Sequence, residues 1–341
     1  MPGDRPPRRY GGGMAAEIRP DPETGDWHIV APGRAARPSD HAEPADGRCP
    51  FCPGNEALTP PEVLRHPAAP QPWRVRVFPN RYAVVGPAAG PAADGGARAA
   101  TGAHEVVVES PRHDAELRTA RPGDVLAVLA AMRDRCRALA AAGPAAIVVF
   151  RNHGVAAGTS LRHPHSQIVA LDDAPPGLVR RWDNARRHFD GTGRCLHDDL
   201  AAAERAAGTR VVHDAGGVLV YQPRAAGVPH ETVLLPDDRS PGLAGASDDA
   251  LAAVAGVLPG VLAGLAAVRD DPAYNLVVHA GPVRDGTARD WYRWHVGLYP
   301  RLTRRAGLEI ATGLSVNPAA PEQTAPELRR AVLAASTTTG P

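Results

Sequence analysis

The chain has 341 residues, with 38 basic and 37 acidic side chains and a formal net charge of +1. That length holds two domains, or one duplicated domain, around a substantial core, and the evenly mixed charge excludes the basic stripe of a nucleic-acid binder. Every basic side chain is Arg or His, which excludes Schiff-base and P-loop lysine chemistry and leaves phosphate binding to arginine, whose planar fork suits it.

No apolar run approaches the roughly 20 residues that span a bilayer, and the start, Met1-Pro-Gly-Asp-Arg, lacks the apolar core of a signal peptide. No membrane association is expected, and the protein is expected in the cytoplasm. Residues 1–13, rich in Pro, Gly and Arg, and the tail 336–341 are expected to be disordered. Residues 86–103 read as a flexible loop.

Strands are predicted at Trp27–Val30, Val75–Val77, Tyr82–Val85 and Glu105–Glu109 from their β-branched and aromatic content. A helix is predicted over Asp124–Ala141, with Val125, Leu126, Leu129, Met132 and Cys136 at helical spacing. Strands at Ala146–Phe150 and Gln167–Leu171 complete the first half. The second half repeats the order: strands Val211–Val212, Val218–Tyr221 and Glu231–Leu235, a helix at Asp248–Val268, then strands Tyr274–His279 and Tyr292–Tyr299. Glu105-Val-Val-Val corresponds to Glu231-Thr-Val-Leu, and His163-Pro-His165 falls opposite Arg293-Trp-His295. This implies an internal duplication in an α+β fold, with halves at 14–190 and 195–335.

Four cysteines in a chain this long do not make a disulfide framework. Cys49-Pro-Phe-Cys52 can grip one metal ion with two thiolates, and no second such pair exists to complete a four-ligand zinc site. Histidines must supply the rest; His113, after the strand ending at Glu109, and His163 stand where strand ends could converge. A redox pair and two inert loop thiols are the alternatives for Cys49 and Cys52.

The most informative stretch is Phe150–Ala170. Gly154-Val-Ala-Ala-Gly-Thr-Ser160 is a small-residue loop through which backbone N–H groups approach a phosphate. Behind it come two histidines, His163 and His165, which a strand would point to the same face. A neutral imidazole is both a nucleophile towards phosphorus and a metal ligand. The pattern suggests nucleotidyl transfer; an ordinary loop entering a strand is the alternative.

Cys49-Pro-Phe-Cys-Pro-Gly-Asn-Glu56, Arg76-Val-Phe-Pro-Asn-Arg-Tyr82, Phe150–Ala170 and Ala306-Gly-Leu-Glu-Ile-Ala-Thr-Gly313 together resemble the galactose-1-phosphate uridylyltransferase family of the histidine-triad superfamily. The resemblance runs from about Glu17 to Arg330. It implies two fused histidine-triad-like halves, each an antiparallel sheet with helices packed on it. It implies that His165 attacks the α-phosphorus of a nucleotide sugar, and that a hexose 1-phosphate then collects the nucleotidyl group in ping-pong fashion. It implies zinc on Cys49, Cys52, His113 and His163. Arg34 and Arg37 match a family pair near the phosphates, which without the resemblance would read as a solvated loop. Asn152 and Ser160 match positions at the α-phosphate, and Asn80 a nucleoside-contacting stretch. A homodimer is also implied.

Gln167 stands where nucleotidyl hydrolases of the superfamily carry a third histidine. An amide can hydrogen-bond a phosphoryl oxygen but cannot shuttle a proton, so Gln167 points to transfer over hydrolysis. Family members with a second metal use a glutamate, a histidine and a His-x-His pair. Here His279 and His295 match two of these ligands, while Arg181 and Arg293 stand at the other two, which argues against a second metal. The ending Gly307-Leu-Glu-Ile-Ala-Thr-Gly-Leu-Ser-Val-Asn317 also resembles ADP-glucose phosphorylases, whose acceptor is orthophosphate. The activity expected from the family resemblance is transfer from UDP-glucose to galactose 1-phosphate. A nucleotide-sugar phosphorylase and a non-catalytic nucleotide-binding protein are the alternatives.

Overall fold

A computed structural model of the chain describes residues 16–31, 34, 48–87 and 96–338. The expectations for residues 1–13, for Arg37, for residues 88–95 of the loop and for residues 339–341 lie outside the described residues. In chain order the elements are β1 (Glu17–Pro20), β2 (Trp27–Val30), β3 (Leu64–His66), β4 (Val75–Pro79), β5 (Arg98–Ala99), β6 (Gly102–Val108), α1 (Pro122–Ala140), β7 (Ala146–His153) and β8 (His165–Leu171). There follow α2 (Pro176–Thr192), α3 (Leu196–Ala207), β9 (Val211–Ala215), β10 (Val218–Tyr221), β11 (Thr232–Pro236), α4 (Asp248–Arg269) and β12 (Tyr274–His279). The chain ends with α5 (Ala288–Trp291), β13 (His295–Pro300), α6 (Gly307–Thr312) and α7 (Pro321–Thr338).

Ten strands form one antiparallel sheet in the order β3-β4-β6-β8-β7-β12-β13-β11-β10-β9, and β2-β1-β5 form a separate small sheet. The large sheet has the same order read inward from either edge. The unit β4–β6–α1–β7–β8 matches β10–β11–α4–β12–β13, and the two units join where β7 pairs with β12. This is the α+β fold of two histidine-triad-like halves that the resemblance implied.

Strand alternation sorts the side chains of β8. Ile168 and Ala170 join Val77, Val107, Val149, Leu276 and Leu298 in a core covered by α1 and α4. Val169 and Leu171 point the other way and pack with Trp182 and Ala185 of α2. On that second face Phe51, Trp73, Phe78, Val106, Val108 and Leu161 form a separate cluster. His165 and Gln167 share this face, beside the aromatic cluster.

One sequence expectation fails. Residues 251–268 contain only Gly, Ala, Val, Leu and Pro, and α4 is long and apolar enough to cross a membrane by length and composition. Its apolar surface is instead covered by protein: Leu251, Val254, Val261 and Leu265 are almost fully buried. α7 lies so close that a Cβ on Gly264 would come within 2.8 Å of Val332.

Smaller differences have local causes. Tyr82–Val85 is a turn, not a strand, because the Asn80 side chain accepts from the Tyr82 N–H at 2.8 Å. The strand expected from Tyr292 begins at His295, since the Tyr292 N–H closes a helical turn on the Ala288 carbonyl. Residues 336–338, read as part of a disordered tail, continue α7.

Candidate active site and metal cluster

Cys49 and Cys52 sit in a tight turn before the 3-10 segment Glu56–Leu58. The Cys52 N–H donates to the Cys49 carbonyl at 3.3 Å, and the Asn55 amide donates to the same oxygen at 2.8 Å. His113 follows β6, and His163 stands two residues before the start of β8. The Cys52 sulfur lies 3.4 Å from His113 Nδ1 and 3.6 Å from His163 Nδ1, and the Cys49 sulfur 3.7 Å from His163 Nδ1. The four ligand atoms all fall within 4.8 Å of one another. A tetrahedral zinc with bonds of about 2.3 Å to sulfur and 2.0–2.1 Å to nitrogen would separate its ligand atoms by roughly 3.4–3.8 Å. The donor set therefore fits a metal ion of that preference.

The protonation chemistry fits as well. His163 is fully buried, and its Nε2 lies 2.8 Å from the Ser110 carbonyl. Only an N–H can make that bond, so Nδ1 keeps its lone pair towards the sulfurs. Burial pulls the His163 pKa down to about 4, which keeps the ring neutral. Burial, with the neighbouring Cys52 sulfur, pushes the Cys49 thiol up to about 12. A bound cation reverses that tendency and takes the sulfur as thiolate.

The backbone of His163 also orients the next histidine. His165 Nδ1 lies 2.8 Å from the His163 carbonyl, so Nδ1 carries the hydrogen and Nε2 carries the lone pair. The His165 ring meets the edge of Phe51 at 5.3 Å between centroids. It lines a cavity of about 140 Å³ with Phe51, Phe78, Asn80, Tyr82, Ser160 and Gln167. Its lining includes apolar side chains that suit a flat base. It also includes the imidazole, a serine hydroxyl and an amide.

Asn80, Ser160, His165 and Gln167 thus come together as the sequence suggested. Asn152 lies on β7 and shares the face of Gln167, because Phe150, two residues before it, pairs with Gln167. Its Oδ1 accepts from Asn275 of the second half at 2.8 Å. The Arg34 guanidinium donates to the Tyr82 carbonyl, which brings it to the cavity rim. Arg37 lies outside the described residues.

Sequence reasoning missed two features. The first is His104 on β6, whose Nε2 lies 2.9 Å from Gln167 Oε1. It stands just before the strand expected from Glu105, and only the pairing register reveals that it shares a face with Gln167. The second is a buried network behind the site. Arg151 pairs with Glu109 at 3.0 Å, Ser166 donates to Glu109 at 2.5 Å, and Arg151 reaches the Tyr274 hydroxyl at 3.0 Å. This network ties β7 and β8 to β12 across the join between the halves.

In the second half His279 and His295 lie 4.9 Å apart, with His197 of α3 4.9 Å from His295. Arg293 does not join them as a ligand could. Its guanidinium donates to Asp198 and to the carbonyls of Pro236 and Asp238.

Residues 13–175 match the family model described as galactose-1-phosphate uridyl transferase, N-terminal domain. The chain is 31% identical to an ADP-glucose phosphorylase of Arabidopsis thaliana over 94% of each chain. It is 26% identical to a galactose-1-phosphate uridylyltransferase of Thermotoga maritima over 92% of this chain and 98% of that one. Among solved structures, one described as a uridylyltransferase superposes with a TM-score of 0.79 at 30% identity, covering 93% of this chain and 99% of the other.

Proposed function

Because the chain belongs to the galactose-1-phosphate uridylyltransferase family, we propose that it moves a nucleotidyl group from a nucleotide sugar to a phosphate-bearing acceptor through a covalent adduct on His165. One observation carries this reading. The His163 carbonyl accepts the Nδ1 hydrogen of His165, so the lone pair that can act as nucleophile is on Nε2, and the ring lines the cavity. In the first half-reaction the Nε2 lone pair forms a bond to the α-phosphorus, and the bond from that phosphorus to the bridging oxygen breaks. Glucose 1-phosphate leaves with the electron pair. The ring becomes cationic as the bond forms, and the Nδ1–H···O=C bond stabilises that charge. In the second half-reaction an acceptor phosphate oxygen attacks the same phosphorus and the N–P electrons return to Nε2. Ser160 and the amide of Gln167 are assigned to the phosphoryl oxygens, Arg34 to the phosphates, and Asn80 with the aromatic lining to the nucleoside.

Cys49, Cys52, His113 and His163 are assigned to one zinc ion, which would supply structural rigidity. These residues hold the His163 backbone, and through its carbonyl the tautomer of His165.

For the finer reaction we favour ADP-glucose as donor and orthophosphate as acceptor, supported by full-length similarity to the A. thaliana ADP-glucose phosphorylase. Transfer from UDP-glucose to galactose 1-phosphate is the second reading, supported by the family match and by likeness to the uridylyltransferase structure. Incubation with each nucleotide sugar separately, followed by intact-mass measurement, tests both. A gain of AMP, cleared by orthophosphate, supports the first, and a gain of UMP, cleared by galactose 1-phosphate, the second. No gain with either sugar, on protein that is folded and metal-loaded, would falsify the covalent mechanism.

A further inference from the structure

We infer that His104 is a positioning residue: it fixes the amide of Gln167 so that the two amide N–H donors, and not the carbonyl oxygen, face the reacting phosphoryl group. The inference rests on the reading of His165 as nucleophile and adds a residue that acts through Gln167.

The backbone settles the orientation. The Val84 N–H donates to His104 Nδ1 at 3.1 Å. A backbone N–H cannot become an acceptor, so Nδ1 carries the lone pair and Nε2 carries the hydrogen. Among the described residues, two side chains face that hydrogen. Gln167 Oε1 lies at 2.9 Å, and Asn80 Nδ2 at 3.1 Å. Asn80 is pinned in turn, because its Oδ1 accepts from the Tyr82 N–H at 2.8 Å. It therefore presents a donor that cannot accept, and the Nε2 hydrogen goes to Gln167 Oε1. With its oxygen engaged, Gln167 leaves its NH₂ group for the cavity that it shares with His165.

Register makes the arrangement stiff. Val106 pairs with Gln167 and Val108 with His165, so His104, two residues before Val106, sits diagonally across from Gln167 on the same face. Both side chains are buried, at 5% and 6% exposure. A free glutamine would rotate about its last torsion and present either end. A reversed amide would set a carbonyl oxygen against phosphoryl oxygens in the transition state, where a donor is needed.

The test uses the nucleotide sugar that labels the wild-type chain and follows adduct formation by rapid quench. His104→Phe, which keeps a ring but removes the donor, is expected to slow adduct formation about 10- to 100-fold with little change in KM. One misaimed donor should cost somewhat less than the roughly 10²–10³ lost when such a donor is deleted. His104→Gln, which can place an amide N–H near the old Nε2, should recover most of the rate. Gln167→Ala should be slow, and the double variant His104→Phe/Gln167→Ala no slower than Gln167→Ala alone. Losses that multiply in the double variant, or a His104→Phe rate equal to wild type, overturn the inference. Nitrogen-15 NMR of the wild-type imidazoles gives an arm independent of any variant. His104 must be in the Nε2–H form, and an Nδ1–H form overturns the proposal. A wild-type chain that forms no adduct at all removes the covalent mechanism and this proposal with it. An adduct combined with multiplicative losses removes this proposal alone.

Discussion

Gln167 is the residue to which the choice between transfer and hydrolysis is assigned in the proposed mechanism. It lies two residues past His165 on the same face of β8 and is held by His104. An amide stabilises phosphoryl oxygens but has no proton to exchange near neutral pH, so water at the adduct meets no general base there. Gln167→His should therefore raise the rate at which the isolated nucleotidyl-enzyme loses its label without acceptor. General acid–base help is typically worth about 10²–10⁴-fold, and imperfect placement against His104 should reduce this to roughly tenfold. The check is to form the adduct, remove free substrate, and follow decay by intact mass. Decay no faster than wild type would defeat this account of Gln167. Such a residue is readable from the sequence because its neighbours His163 and His165 announce the site. His104 is not, since nothing local distinguishes a histidine that reaches across two strands from one that faces solvent.

At the scale of elements, the Cys/His cluster that could hold a metal ion draws its residues from the Cys49–Cys52 turn, the loop after β6 and the entry to β8. One ion bound there would lock three segments together. We expect one zinc per chain, and Cys52→Ser should lose it, because a hydroxyl is a poor substitute for a thiolate. Elemental analysis and thermal melting check this; metal retained at wild-type stoichiometry would exclude the assigned ligand set. A second prediction concerns β12, β13 and α3. His279, His295 and His197 are held neutral by burial, aided by Arg181 and, for His197 and His295, Arg293; His295 is brought down to about 4. Tyr292 and Tyr299, also near them, stay protonated. The unfolded chain binds protons at these histidines near pH 6.5, whereas the folded chain resists them. Stability is thus fully present above about pH 6.5 and falls as pH drops towards 4. Urea midpoints should decline over that window, and replacing His295 by Gln should flatten the decline. A midpoint independent of pH there would show that these rings are not held neutral. The strands of the large sheet were legible because runs such as Val106–Val108 and Val218–Tyr221 carry β-branched or other apolar residues on both faces. Helices α2 and α3 were not, since α2 buries only Trp182 and Ala185 along its charged length. Its Pro176 start and Gly193 end were nonetheless present as capping signals.

The whole molecule poses a question of symmetry, because two like halves carry a histidine in the same place. His295 opens β13 as His165 opens β8, and its Nδ1 lies 3.1 Å from the carbonyl of Arg293, two residues back, just as in the first half. The duplication seen in the sequence thus extends to the tautomer of the key imidazole. What differs is the space beside it. The residue two past His295 is Gly297, where the first half has Gln167, and the Tyr299 ring lies over it. A Cβ on Gly297 would come within 2.6 Å of that ring. The Tyr299 hydroxyl bonds His279 Nε2 at 2.6 Å, so the tyrosine is held in the space that a phosphoryl group would need. His295 is itself only 6% exposed. A site with the right tautomer but no room cannot take a nucleotide. The expected stoichiometry is therefore one nucleotidyl group per chain, and His165→Ala should form none, a loss of at least about 10³-fold in adduct formation. Because His165 is not an assigned metal ligand, the variant should keep its zinc and its melting temperature. His295→Gln should label normally. Peptide mapping of the adduct decides the matter: label on His295, or two labels per chain, would show that the second half is an active site in its own right.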